Sequence, residues 1–142
     1  MPATAWRYIV PYQPDFQAAL DSLRRETFQR GAYFQPWADQ VRLGQVEHPA
    51  TIRELLDRNG EQGTHSVLDV QKVGLQPAPG CASLTSSEVC IAVYGTLQPD
   101  KDDVDQHRFA LIHTIEDGQA RFLVIYRGRE PHQLYFEGLT GA

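Results

Sequence analysis

The chain has 142 residues, 42% of them hydrophobic, and a formal net charge of −5 at pH 7. This length suits a single domain, residues 1–142, that buries about two-thirds of its unfolded surface, and the six tyrosines and six phenylalanines exclude a disordered chain. The acidic charge argues against nucleic acid as a partner, because phosphate contacts require a basic surface. Arg24, Arg25 and Arg30 of one predicted helix are the only support for such a role.

The cysteine content and the hydropathy pattern bear on location and cofactors. Cys81 and Cys90 form no C-x-x-C pair of the kind that binds zinc, and they suit free thiols in a reducing compartment. No charged region followed by an apolar run marks a secretory signal. The longest apolar run, residues 122–126, is far shorter than the ~20 residues of a membrane-spanning helix. We therefore expect a soluble cytoplasmic protein with no membrane contact, no cofactor and no metal.

The first predicted element is a strand over residues 5–13, where aromatic and β-branched residues dominate. Alternation places Trp6 and Tyr8 on one face and Arg7 on the other. Pro11 ends regular pairing or marks an edge. Apolar residues on both faces nevertheless favour a central position in the sheet.

A helix is predicted between Pro14 and Gly31, followed by a long loop over residues 32–49. The loop carries Tyr33 and Trp37 but no regular period. A loop of this length is typical of a lid or a contact surface, and the alternative is an arm held down by its own aromatic residues.

The segment at residues 65–73 has the alternation of a β-strand and follows a short helix capped by Thr51. As a strand it places His65 and Asp69 on one face, with Cα atoms ~13 Å apart at ~3.3 Å per residue. The two side chains then cannot bond to each other, and Arg7 in the first strand and Arg121 or Arg127 in the hairpin are candidate partners. The face is either an ordinary structural ion-pair surface or the rim of a site.

The remaining elements are a loop, two helices and a hairpin. Residues 75–82 are predicted as a loop that exposes Cys81, and a helix capped by Thr85 buries Cys90. Acidic residues 100–105 lack the spacing of a calcium loop and suit the first turn of a helix. Residues 118–127 and 132–137 read as a hairpin.

These elements predict an α+β fold with a mostly antiparallel sheet of about four strands and helices packed on one face. Several tyrosines fall on the predicted strands, and we expect the hairpin to bring two of them together. Such a sheet face is either half of a core or a recognition surface. These residues are Tyr8, Tyr12, Tyr126 and Tyr135.

The motifs W-R-Y-I-V-P-Y-Q-P-D, G-T-H-S-V-L-D and L-Y-F-E-G, taken together, resemble a group of small uncharacterised proteins common among actinobacteria. The resemblance spans most of the chain. It implies a bacterial cytoplasmic origin and no particular functional residue.

Two hypotheses of function follow. The first is a non-catalytic binding or regulatory module that acts through a protein partner or self-association, because no catalytic signature is present. Its candidate binding residues are Arg7, Tyr8, Tyr33, Trp37, Tyr126 and Tyr135. The alternative is a small enzyme that uses acid–base chemistry on a small polar substrate, in which His65 carries the proton and Asp69 acts on it electrostatically through a bridging residue.

Overall fold

Residues 3–141, which the computed structural model describes, fold as an α+β domain around a five-stranded mixed sheet. The strands are β1 (Thr4–Pro11), β2 (Lys72–Gly74), β3 (Cys81–Leu84), β4 (Gln119–Arg127) and β5 (Glu130–Thr140). They lie in the order β1-β5-β4-β3-β2, with β5 antiparallel to β1 and β4, and β3 parallel to β4 and β2. Within these residues, no helix is both long enough and apolar enough to span a membrane.

Four of the five described α-helices begin at a residue whose side chain caps the helix, whereas the helix at Ala38–Arg42, in the segment predicted as a loop, has no side-chain cap. The α-helices are α1 (Phe16–Arg30), α2 (Ala38–Arg42), α3 (Ile52–Asn59), α4 (Ser87–Tyr94) and α5 (Lys101–Gln106), and short 3-10 helices cover Gly60–Gln62, Val67–Asp69 and Leu111–Thr114. The Asp15 side chain caps α1, and Gly31 ends it in the left-handed conformation that glycine adopts at low cost. Thr51 caps α3, as predicted, whereas Ser86 rather than Thr85 caps α4.

Helices cover both faces of the sheet, so the prediction of helices on one face is wrong. On the first face, α1 packs against the sheet, and the buried core there includes Trp6, Ala19, Leu20, Leu23, Phe122, Leu134 and Phe136. On the second face, α4 and α5 pack against it through a core of Cys90, Tyr94, Val104, Leu111, Leu123, Ile125 and Tyr135. Sequence periodicity shows that a strand is apolar on both sides, but it does not show what lies on each side.

The sheet also differs from the prediction in its extent and in its order. The hairpin of β4 and β5 is confirmed and lies at the centre. The sequence does not predict the four-residue strand β3, which lies partly within the predicted loop. Two prolines precede this strand, and it is too short to show a strand period. Its first residue, Cys81, is buried rather than exposed. β1 lies at one edge and not at the centre.

The predicted strand at residues 65–73 is wrong except for its last residues, which belong to β2. His65 has a φ of 53°, which turns the chain, and Val67–Asp69 forms a 3-10 helix. Polar side chains are the physical cause. The Ser66 hydroxyl accepts a hydrogen bond from the Leu68 N–H at 3.2 Å, so local side-chain bonds replace the strand ladder.

Candidate functional site

Asp69 lies inside a partly buried polar network and not on an open strand face. Its carboxylate accepts hydrogen bonds from the Thr64 N–H at 2.7 Å and the Thr64 hydroxyl at 3.0 Å. The other oxygen accepts from the Thr140 hydroxyl at 2.8 Å, and Thr140 in turn accepts from the Trp6 indole N–H at 2.8 Å. The network therefore ties the turn after α3 to the end of β5 and the start of β1.

His65 does not share this network with Asp69. Its Nδ1 lies 2.6 Å from the Thr4 hydroxyl, and its ring packs on Phe34 with a centroid distance of 4.5 Å. Its Nε2 is buried and has no hydrogen-bond partner among residues 3–141. Arg7, one of the candidate partners predicted for these two residues, lies on the opposite face of the sheet and pairs with Asp105 at 2.8 Å.

The long loop after α1 is an arm held down by its own aromatic residues. Trp37 is 9% exposed, donates its indole N–H to the Asn59 side chain at 2.6 Å and lies 4.7 Å beneath the Arg58 guanidinium. Tyr33 stacks on Phe28 with a centroid distance of 5.9 Å. These contacts favour a structural role for the loop over a lid.

The tyrosines do not form one surface. Tyr8 packs into the core of the first face, whereas Tyr135 is fully buried in the core of the second face. In the hairpin register Tyr135 pairs with Leu123, and Tyr126 pairs with Pro131 after an irregularity, so the hairpin does not bring the two tyrosines together. A flat face rich in tyrosine is therefore absent from residues 3–141.

The outer edge of β1 is the feature that stands out. Tyr12 N–H bonds to the His132 carbonyl oxygen at 3.1 Å, so the even-numbered residues of β1 direct their main-chain groups toward β5. Ala5, Arg7 and Ile9 consequently direct their N–H and C=O groups away from the sheet. Within residues 3–141 these outward groups have no main-chain partner. Pro11 also faces outward, but it has no N–H group, so the row of outward donors ends there.

The other edge of the sheet is covered. β2 has only three residues, and its Val73 N–H bonds to the side-chain oxygen of Gln17 at 2.9 Å. The same side chain donates to the Gln71 carbonyl oxygen at 3.0 Å. A side chain from α1 thus occupies the edge positions that another strand would need.

A groove lies beside β1 on the second face of the sheet, which we call the cationic groove. It has a volume of about 310 Å³ and is lined by Arg7, Tyr8, Ile9, Lys101, Asp105 and Arg108. Asp105 accepts from Arg7 at 2.8 Å and from Lys101 at 3.2 Å, and the hydrogen bond from Arg7 lowers the pKa of this carboxyl. Arg7 and Lys101 thus share one carboxylate, whereas Arg108 lines the same groove without a carboxylate partner in the described residues.

A second groove lies beside β1 on the first face, between the strand and α1, and we call it the apolar groove. It has a volume of about 220 Å³ and is lined by Val10, Pro11, Tyr12, Gln13, Ala19, Ser22, Leu23 and Glu26. The open edge is therefore flanked by one groove on each face. Two of the predicted binding residues, Arg7 and Tyr8, belong to this strand, and the signal in the sequence that marked the edge was Pro11.

The described residues contain no group of three or more His, Cys, Asp or Glu side chains able to hold a metal ion. Both thiols are buried, and burial raises the pKa of Cys90. The arrangement around β1 offers unpaired main-chain groups, charged side chains and apolar surface.

Comparison of the chain with models of protein families, with characterised proteins and with solved structures gave no match. The resemblance to small actinobacterial proteins therefore stays a prediction.

Proposed function

We propose that this domain is a protein-binding module that pairs the open edge of β1 with an extended segment of a partner protein. The supporting observation is the row of outward N–H and C=O groups at Ala5, Arg7 and Ile9, which lack main-chain partners within residues 3–141. An extended peptide that adds to such an edge gains main-chain hydrogen bonds, and pockets beside the edge select its alternate side chains.

The contrast with β2 supports this proposal. Natural proteins shorten or cover sheet edges, because a long exposed edge invites unwanted pairing. This chain covers β2 with Gln17 but leaves the eight-residue strand β1 uncovered, apart from Pro11 at its end. An edge that is kept open at some risk of aggregation is best explained by a partner that uses it.

The geometry does not favour acid–base chemistry at His65 and Asp69. The Asp69 oxygens are filled by Thr64 and Thr140, and the His65 ring is held by Thr4 and Phe34. A general base needs a free acceptor within reach of a substrate proton, and the unpartnered Nε2 of His65 is buried.

Selection from a display library of random ten-residue peptides tests the proposal. We expect enriched peptides to shift the amide NMR signals of Ala5, Arg7 and Ile9. The variant Ala5→Pro removes one outward donor and places a ring on the edge, while leaving the pairing with β5 intact. It should weaken the binding of the enriched peptides at least about tenfold, as expected for lost hydrogen bonds and a steric block.

Ala5→Val is the matched control, because it keeps the N–H and suits a strand. It should bind the enriched peptides like the wild-type domain. Enriched peptides that bind Ala5→Pro as tightly as the wild type, or a selection that enriches none, would contradict the proposal.

A further inference from the structure

We infer that the segment that pairs with β1 alternates acidic and apolar side chains. This inference rests on the proposed function and adds the chemistry of the partner. Residues that pair across neighbouring strands point to the same face of a sheet. Side chains opposite Arg7 therefore enter the cationic groove, and those opposite Val10 enter the apolar groove.

The cationic groove selects acidic side chains. Arg7 and Lys101 both pair with Asp105, whereas Arg108 has no carboxylate partner in the described part of the chain. A carboxylate in this groove can accept from guanidinium N–H groups, which form stronger bonds with charged acceptors than with neutral ones.

The apolar groove selects apolar side chains at the alternate positions of the partner segment. Val10 and Tyr12 form one side of it and Ala19 and Leu23 of α1 the other, with Glu26 at its rim. The same four residues belong to the core of the first face or pack against it. An aliphatic side chain placed there extends this core and removes apolar surface from water, at about 25 cal/mol per Å².

A second copy of this chain fits the edge less well than an acidic partner. If two β1 strands paired antiparallel through their outward residues, each Arg7 would lie opposite or diagonal to its copy on the same face. Like charges across strands are destabilising. Lys101 and Arg108 of both copies would add to the repulsion, so the charge pattern favours a partner that supplies carboxylates.

Three synthetic decapeptides test the inference: alternating Glu and Val, alternating Gln and Val, and alternating Lys and Val. Binding is measured by fluorescence anisotropy of labelled peptides in low salt and in 0.15 M salt. We expect the Glu peptide to bind at least about tenfold more tightly than the Lys peptide, with the difference shrinking as salt screens the charges. The double variant Lys101→Glu/Arg108→Glu should reverse this preference.

The matched control is Arg42→Glu/Arg53→Glu, which makes the same change in net charge at exposed positions on α2 and α3. It should keep the preference for the Glu peptide. Circular dichroism of both double variants checks that the fold is retained.

The outcomes separate the two proposals. If Ala5→Pro weakens the binding of all three peptides and none is preferred, the inference fails and the binding edge stands. If the Glu peptide binds but Ala5→Pro has no effect, both fail. No binding of any peptide contradicts the alternating pattern, and a dimer of the domain that Ala5→Pro dissociates shows that a second copy occupies the edge instead.

Discussion

The two edges of the sheet are built in different ways. β2 is three residues long and its outward donor at Val73 is bonded to Gln17. β1 is eight residues long, and its outward donors at Ala5, Arg7 and Ile9 have no main-chain partner within the described residues.

The comparison teaches that edge protection is a property of each strand. A single glutamine on α1 is enough to close a short edge, since its amide offers both a donor and an acceptor. The long edge keeps its backbone free while its side chains stay anchored in two cores. β1 is therefore a rigid template with unpaired hydrogen-bonding groups, which is what strand addition requires.

The largest expected effect comes from loosening β1 itself. A Cβ atom at Gly138 would overlap atoms of the Trp6 indole ring. Gly138→Ala should lower the free energy of unfolding by about 3 kcal/mol, because a packed core tolerates added volume poorly. Urea denaturation measures this loss. Gly118→Ala is the control: its Cβ meets open space, and only its positive φ should cost about 1 kcal/mol.

A smaller effect should follow from breaking the anchor at the start of β1. Asp69→Asn replaces one carboxylate oxygen by an amide NH₂ group, which can only donate. This NH₂ group then faces a donor, either the N–H and hydroxyl of Thr64 or the hydroxyl of Thr140. We expect a loss of about 2 kcal/mol in the free energy of unfolding. The exposed Asp57→Asn on α3 should change it by less than about 0.5 kcal/mol. Equal stability of the two variants would show that the network does not hold β1.

Opening the covered edge should have a modest effect. Gln17→Ala leaves the Val73 N–H unpaired, so we expect a loss of about 1 kcal/mol and faster hydrogen exchange at the Val73 amide. Gln29→Ala, on the exposed side of α1, should change neither. If the Val73 amide hydrogen exchanges as slowly in Gln17→Ala as in the wild type, Gln17 does not protect the edge of β2.

The smallest effect concerns the buried neighbour of the open edge. Glu137 pairs in register with Arg7, is fully buried, and accepts hydrogen bonds from Tyr135 and from the Ile112 N–H, while burial raises its pKa. The folded state therefore holds this proton more tightly than the unfolded chain.

The contribution of Glu137 to the free energy of unfolding is largest below about pH 4.3, the ordinary pKa of glutamate. This contribution is lost as the pH rises through the folded-state pKa. Glu137→Gln lacks this titration. The stability of the variant relative to the wild type should rise over that interval, as measured by urea denaturation at a series of pH values. A difference that stays constant with pH would contradict the assignment.

Much of the fold follows from local signals in the sequence. Asp15 and Gly31 bound α1 because capping acts within a few residues, and the β4–β5 hairpin is read from alternation around a tight turn. The segment around Asp69 was misjudged because alternation of polar and apolar residues also suits a turn whose side chains bond to its own backbone.

The sequence by itself determined the α+β class, most helix ends and the apolar character of both faces of β1, because these depend on residue types and spacing. Only the tertiary structure decided that β1 lies at the edge, that Gln17 covers β2, and that Arg7 and Arg108 line one groove beside the unpaired main chain of β1. Those facts depend on contacts between residues far apart in the chain. The periodicity of a strand does not show which other strand lies next to it, or whether one of its edges is left unpaired.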